Sequence, residues 1–87
     1  MTSAEFDEAA EAVKGLSQAS TDQKLALYGL FKQAKEGDCN TSRPGAFDFA
    51  GKAKWDAWDK NRGMSQEEAE KKYIELVKEL LAADGKA

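Results

Sequence analysis

Ser20-Thr21-Asp22-Gln23-Lys24-Leu25-Ala26-Leu27-Tyr28-Gly29-Leu30-Phe31-Lys32-Gln33-Ala34-Lys35-Glu36-Gly37 is the stretch that decides the fold. A hydroxyl residue three positions before Gln23 forms a capping box, in which side chain and backbone satisfy each other's free amides at a helix start. Leu25, Leu27, Leu30, Phe31 and Ala34 then share the apolar side of one helix, and Gly37 closes it. The next residues, Asp38-Cys39-Asn40-Thr41-Ser42-Arg43-Pro44-Gly45, have the composition of a loop. Their side chains compete for backbone hydrogen bonds, and Pro44-Gly45 breaks helix or strand. Such a loop is long for a small bundle, and it serves either a function or a crossover between non-adjacent helices.

The same punctuation continues outward in both directions. Thr2-Ser3-Ala4-Glu5 reads as a capping box before a first helix, with Phe6, Ala9, Ala10, Val13 and Leu16 on one face and Gly15 at its end. A short third helix is predicted from about Lys52 to Lys60, carrying Ala53, Trp55, Ala57 and Trp58 and ended by Asn61-Arg62-Gly63. Ser65-Gln66-Glu67-Glu68 starts a fourth, whose stripe of Ala69, Tyr73, Leu76, Val77 and Leu80 runs to Gly85. No segment alternates with period two and β-branched residues are few, so a sheet is not expected. The expected architecture is all-α, a four-helix bundle with a long crossover loop between helices 2 and 3, forming one domain over residues 1–87.

Composition narrows the function. The 87 residues contain no histidine and a single cysteine, Cys39. Disulfide scaffolds, His-based zinc sites and Ser-His or Cys-His nucleophiles are thereby excluded. Acidic residues at the N-terminus and the lack of a long apolar run give no secretory or membrane-spanning signal, so the expected setting is cytoplasmic. The formal net charge of -3 argues weakly against a nucleic-acid partner. Its distribution is uneven: residues 41–62 hold five Lys/Arg against three acids, a local +2 between acidic ends.

Three features carry potential chemistry. Tyr28 and Lys32 lie four apart and share a face, with Leu25 one turn earlier. A phenol and an ammonium beside apolar residues suit a phosphate. They equally suit a half-buried Tyr and a Lys whose stem lies along apolar surface, and spacing alone favours that second reading. Lys54 and Trp58 are likewise four apart, and indoles beside cations suit a planar anionic ligand, although either Trp also serves as a core anchor. Tyr73, on the apolar face of the last helix, needs a hydroxyl partner in any case. Small residues such as Ala9 and Ala10 either leave a shallow groove or permit close helix packing. Cys39 has no neighbouring base to activate it and reads as incidental.

Leu27-Tyr28-Gly29-Leu30-Phe31-Lys32-Gln33-Ala34, Gly37-Asp38, Arg43-Pro44-Gly45 through Phe47-Asp48, and above all Gly51-Lys52-Ala53-Lys54-Trp55-Asp56-Ala57-Trp58 resemble the acyl-CoA-binding protein family. The resemblance runs from Phe6 to the Val77 turn. It implies a monomeric, non-enzymatic carrier of medium- and long-chain fatty acyl-CoA esters, with no cofactor, metal or catalytic residue and no nucleic-acid partner. Contact with membranes or with acyl-CoA-using enzymes is implied only as transient. On this resemblance, Tyr28 and Lys32 hold the 3'-phosphate of CoA, and Lys54 and Tyr73 complete that site and help to hold the adenine. Phe31 occupies a position where relatives often have Tyr, Lys14 matches a basic position on the ligand side, and Ala9 and Leu25 border the acyl chain.

The sequence also departs from the family pattern. Ala50 replaces a basic or polar residue, and Lys35 and Glu36 replace smaller or apolar ones. The turn between the first two helices lacks the usual Pro and is one residue short, and Ala82-Ala83-Asp84-Gly85-Lys86-Ala87 is less basic and aromatic than expected.

Overall fold

Each helix begins where a side-chain oxygen can accept an amide that has no partner within the helix. The computed structural model describes residues 3–16 and 19–85, and these form four α-helices. They are α1 (Ala4–Ala12), α2 (Thr21–Glu36), α3 (Phe49–Asp59) and α4 (Gln66–Ala83), with α1 continued by a single 3₁₀ turn over Val13–Gly15. Ser20 Oγ accepts from the Gln23 amide, and Gln23 Oε1 accepts from the Ser20 amide at 2.8 Å, so the expected box is present in both directions. Ser65 accepts from the Glu68 amide at the start of α4, as the sequence predicts.

Two boundaries differ from expectation. Thr2 lies outside the described residues, and the cap observed on α1 is Ser3, whose Oγ accepts from the Phe6 amide at 3.2 Å. Helix α3 starts at Phe49 rather than near Lys52, because Asp48 caps it by accepting the Gly51 amide at 3.0 Å. Gly51 is therefore part of the first turn, and a Cβ there would run into the Asp48 carboxylate. Ser17 and Gln18 in the first connection, and Lys86 and Ala87 at the end, also lie outside the described residues.

Helix α2 is the centre of the assembly: it packs on α4 along one side and on α3 along another, while α1 lies against α4. Phe6, Ala9, Leu27, Ala34, Ala69, Tyr73, Val77 and Leu80 form the buried core, all from α1, α2 and α4. Three rings bind these helices together: Phe6 stacks on Phe31 at 5.5 Å and meets Tyr73 at 4.9 Å, and Phe31 meets Tyr73 at 5.9 Å. Such ring pairs add to the free energy of simple area burial. The radius of gyration is 13.0 Å, above the roughly 12 Å of a compact chain of this length, because the molecule is a slab of 38 × 27 × 16 Å.

The crossover loop is held by α3 through directed bonds. Both indole groups donate to it, Trp58 Nε1 to the Gly37 carbonyl and Trp55 Nε1 to the Thr41 carbonyl, each at 2.9 Å. Arg43 forms a two-pronged pair with Asp56, with both contacts at 2.9 Å, and Arg62 donates to the Cys39 carbonyl. Gln33, fully buried, donates to Asp38 Oδ1 at 2.9 Å and to the Met64 carbonyl at 2.7 Å. Asp38 Oδ1 also accepts from the Gly63 amide at 2.8 Å, where Gly63 adopts a φ of 90°. The end of α2 is thereby tied to the α3–α4 turn.

Candidate ligand-binding site

Residues 24, 28 and 31 follow one another at helical spacing, so α2 projects Lys24, Tyr28 and Phe31 toward the gap beside α1. Tyr73 closes this gap from α4, and Val13, Leu16, Ala19 and Leu27 complete a hollow of about 270 Å³. The Tyr73 ring is buried and its hydroxyl makes no hydrogen bond among the described residues. Burial raises the pKa of that phenol above its ordinary value, so it remains a protonated donor.

Cations stand at the edge of this hollow. Lys54, exposed on α3, places Nζ 5.7 Å from the centre of the Tyr28 ring. Lys32 is one turn further along α2, with Nζ 4.8 Å above the Trp58 ring and an ion pair to Glu36. Lys24 lines the hollow itself. Sequence reasoning did not single out Lys24, although its four-residue spacing to Tyr28 carries the same information as that between Tyr28 and Lys32.

The remaining expected residues fall elsewhere. Lys14 lies on the 3₁₀ turn, exposed, with Nζ 3.1 Å from Glu11. Ala9 is packed in the core at 8% exposure, so its small size serves close helix contact. Leu25 borders a second, larger cleft of about 880 Å³ between α2 and α3, along with Ala26, Leu30, Ala53, Ala57 and Met64. Its rim carries Asp22, Asp56, Lys60 and Lys72. Gly29 lets α2 approach the backbone of α3 at Ala57, one of the residues that line this cleft. Phe31 keeps its packing role against Phe6 and Tyr73, and Lys35 Nζ sits 5.7 Å from its ring.

The described residues contain no group of three or more His, Cys, Asp and Glu side chains placed to hold a metal, and no helix long and apolar enough to cross a membrane. Four helices that leave an aromatic hollow with cations at its edge, and a larger cleft between α2 and α3, define a small all-α helix-bundle protein. A family profile described as "Acyl CoA binding protein" matches residues 3–77. The chain belongs to the acyl-CoA-binding protein family. It is 51% identical over 81 residues to "Acyl-CoA-binding protein homolog 1" of Caenorhabditis elegans, covering 92% of this chain and 94% of that protein. It is 55% identical over 82 residues to "Acyl-CoA-binding protein" of Gossypium hirsutum, covering 93% and 92% respectively. The fold is similar to the crystal structure of Oryza sativa Acyl-CoA-Binding Protein 2, with a TM-score of 0.91 and 48% identity over 93% of this chain and 91% of that one.

Proposed function

We propose that this protein binds one fatty acyl-CoA ester non-covalently and carries or buffers it in the cytoplasm as a monomer, without catalysing a reaction. The observation that carries this reading is the convergence of Tyr28, Phe31 and Tyr73 on one hollow with Lys24 and Lys54 at its edge. Tyr28, Lys32, Lys54 and Tyr73 hold the 3'-phosphate and adenine of CoA, and the phosphate replaces Glu36 as the partner of Lys32. Phe31 offers the nucleotide a ring face without a hydroxyl. Lys14 reaches the ligand only by leaving Glu11, so its contribution is small.

The acyl chain lies along the cleft bordered by Leu25, Ala53 and Ala57. Ala9 acts on it through the packing of α1 rather than by contact. Each buried methylene contributes about 0.8 kcal/mol, so two further carbons tighten binding roughly tenfold until the cleft is full. The head group thus determines identity and the tail determines strength.

Calorimetry with palmitoyl-CoA, CoA, 3'-dephospho-CoA and palmitate tests the assignment. Lys32→Ala weakens CoA-ester binding by about 1.5–3 kcal/mol, the loss of a charge-assisted hydrogen bond. Equal affinity of CoA and 3'-dephospho-CoA would remove the phosphate site, and equal affinity of palmitate and palmitoyl-CoA would make the protein a general lipid binder.

A further inference from the structure

Lys24 lines the aromatic hollow, and no acid lines it with Lys24. The larger cleft differs, since its rim balances Asp22 and Asp56 against Lys60 and Lys72. Lys24 Nζ forms no ion pair within 4.0 Å and no hydrogen bond among the described residues. The positions one turn away on α2, Ser20, Thr21, Leu27 and Tyr28, include no acid that could serve as its partner. Nor does α2 gain from this side chain. Lys24 belongs to the opening turn of the helix, where a cation opposes the positive end of the macrodipole. An unpaired ammonium in that place suits an anion that the fold itself does not supply.

Position indicates which anion. Lys24 and Lys32 flank Tyr28 by one turn on either side, so their α carbons lie about 12 Å apart along α2. Lys32 Nζ is turned to the Trp58 ring on α3, and Lys54 Nζ approaches the Tyr28 ring from α3 as well. Lys24 instead shares the hollow with Val13, Leu16 and Ala19, at the end of α1 and the connection into α2. Cations therefore stand on two separate sides of Tyr28. A ligand that satisfies both carries two anionic groups, held apart by a ring system that fits among Tyr28, Phe31 and Tyr73. The CoA head group has this form, since its ribose bears a monophosphate at the 3' position and a diphosphate at the 5' position.

We propose that Lys24 pairs with the 5'-diphosphate of the bound CoA ester and makes the protein select ligands that carry it, while Lys32 and Lys54 take the 3'-phosphate. The inference rests on the acyl-CoA reading above and adds to it a second anion contact, placed apart from the first. Lys24 is exposed, so its ammonium exchanges water for phosphate oxygen on binding, in a charge-assisted hydrogen bond. Salt screens a contact of this kind.

The test is calorimetry of the parent, Lys24→Met and Lys24→Arg with palmitoyl-CoA, palmitoyl-3'-dephospho-CoA and S-palmitoyl-pantetheine, which lacks every phosphate. Lys24→Met weakens the first two ligands about tenfold and equally, the loss of one charge-assisted hydrogen bond, and leaves the third unchanged. Lys24→Arg keeps most of the affinity, and added salt weakens the parent more than Lys24→Met. Thermal unfolding of Lys24→Met does not fall below the parent, since an exposed cation is removed from a helix start. A loss confined to palmitoyl-CoA would move Lys24 to the 3'-phosphate and overturn the proposal. An equal loss on S-palmitoyl-pantetheine would place it on the acyl or pantetheine side and overturn it as well. A parent that binds palmitoyl-CoA no more tightly than Lys24→Met overturns this inference alone, whereas a parent that binds none of the three ligands overturns the proposed function.

Discussion

Helix α4 buries Ala69, Tyr73, Val77 and Leu80, whereas α3 buries Trp58 alone. The α1–α2–α4 side is held by apolar area and by three rings in mutual contact. The α3 side and its crossover loop are held by hydrogen bonds from Trp55, Trp58, Arg43 and Arg62, and by the Gln33–Asp38 knot. Apolar burial is non-directional and contributes most of the stability, while directed bonds fix a geometry and can break locally. Tyr28 and Lys32 on α2 and Lys54 on α3 stand on the seam between these two regimes. The ligand site proposed above therefore draws on both sides of the molecule.

Substitutions on each side separate the two regimes. The largest effect belongs to the apolar side: Phe6→Ala removes a ring at 1% exposure and costs about 3–5 kcal/mol in urea unfolding, since the core collapses only partly around the cavity. A loss below 1 kcal/mol would show that this core is not the main source of stability. Next is Gly29→Ala, whose Cβ meets the Ala57 carbonyl and forces α2 and α3 apart, for about 1–3 kcal/mol. Because Ala57 lines the cleft proposed for the acyl chain, acyl-CoA affinity falls with stability, and unchanged affinity would argue against that cleft as the acyl site.

Trp58→Phe keeps most of the buried ring and removes the donor to the Gly37 carbonyl, and the lost hydrogen bond contributes about 1 kcal/mol. Amide exchange accelerates around residues 37–41 while the amides of α1 and α4 hold. Uniform acceleration would mean that the loop does not open independently. The smallest effect is the pH dependence of Asp38. The Gly63 amide, the Gln33 side chain and the Arg62 charge lower its pKa below the ordinary aspartate value. A depressed carboxylate pKa adds stability that is complete above about pH 4 and is lost as pH falls through the lowered value. Asp38→Ala therefore lowers Tm at neutral pH, and the gap from the parent narrows in acid. A gap that stays constant down to pH ~2, below the usual carboxylate range, would remove the charge from this account.

Much of the fold was legible because capping is local. Ser20, Gln23 and Ser65 announce helix starts through bonds spanning three residues, and the apolar stripes of α2 and α4 repeat as the helical period requires. The start of α3 was misplaced because its cap is the Asp48 carboxylate over the Gly51 amide, not a hydroxyl residue of the kind that opens the other helices. Of the candidate site, Tyr28, Phe31 and Tyr73 do line one hollow, with Lys54 near Tyr28. The sequence was silent on Lys24, and it left the indoles open between ligand stacking and anchoring. Their N–H groups are engaged by loop carbonyls far along the chain, which no spacing rule encodes. Cys39, which read as an incidental loop residue, is buried at 5% exposure, with its carbonyl accepting from Arg62.

By itself the sequence determined the all-α class, the four helices and their order, and the family, because periodicity, capping and motif spacing are properties of neighbouring residues. Only the tertiary structure decided that Gln33 is a buried hub, that Ala9 packs in the core, and that Phe47 and Phe49 stand in water. Those outcomes depend on which helix faces meet across the chain, and the meeting of α2 and α3 at Gly29 is set by a contact between residues 28 positions apart.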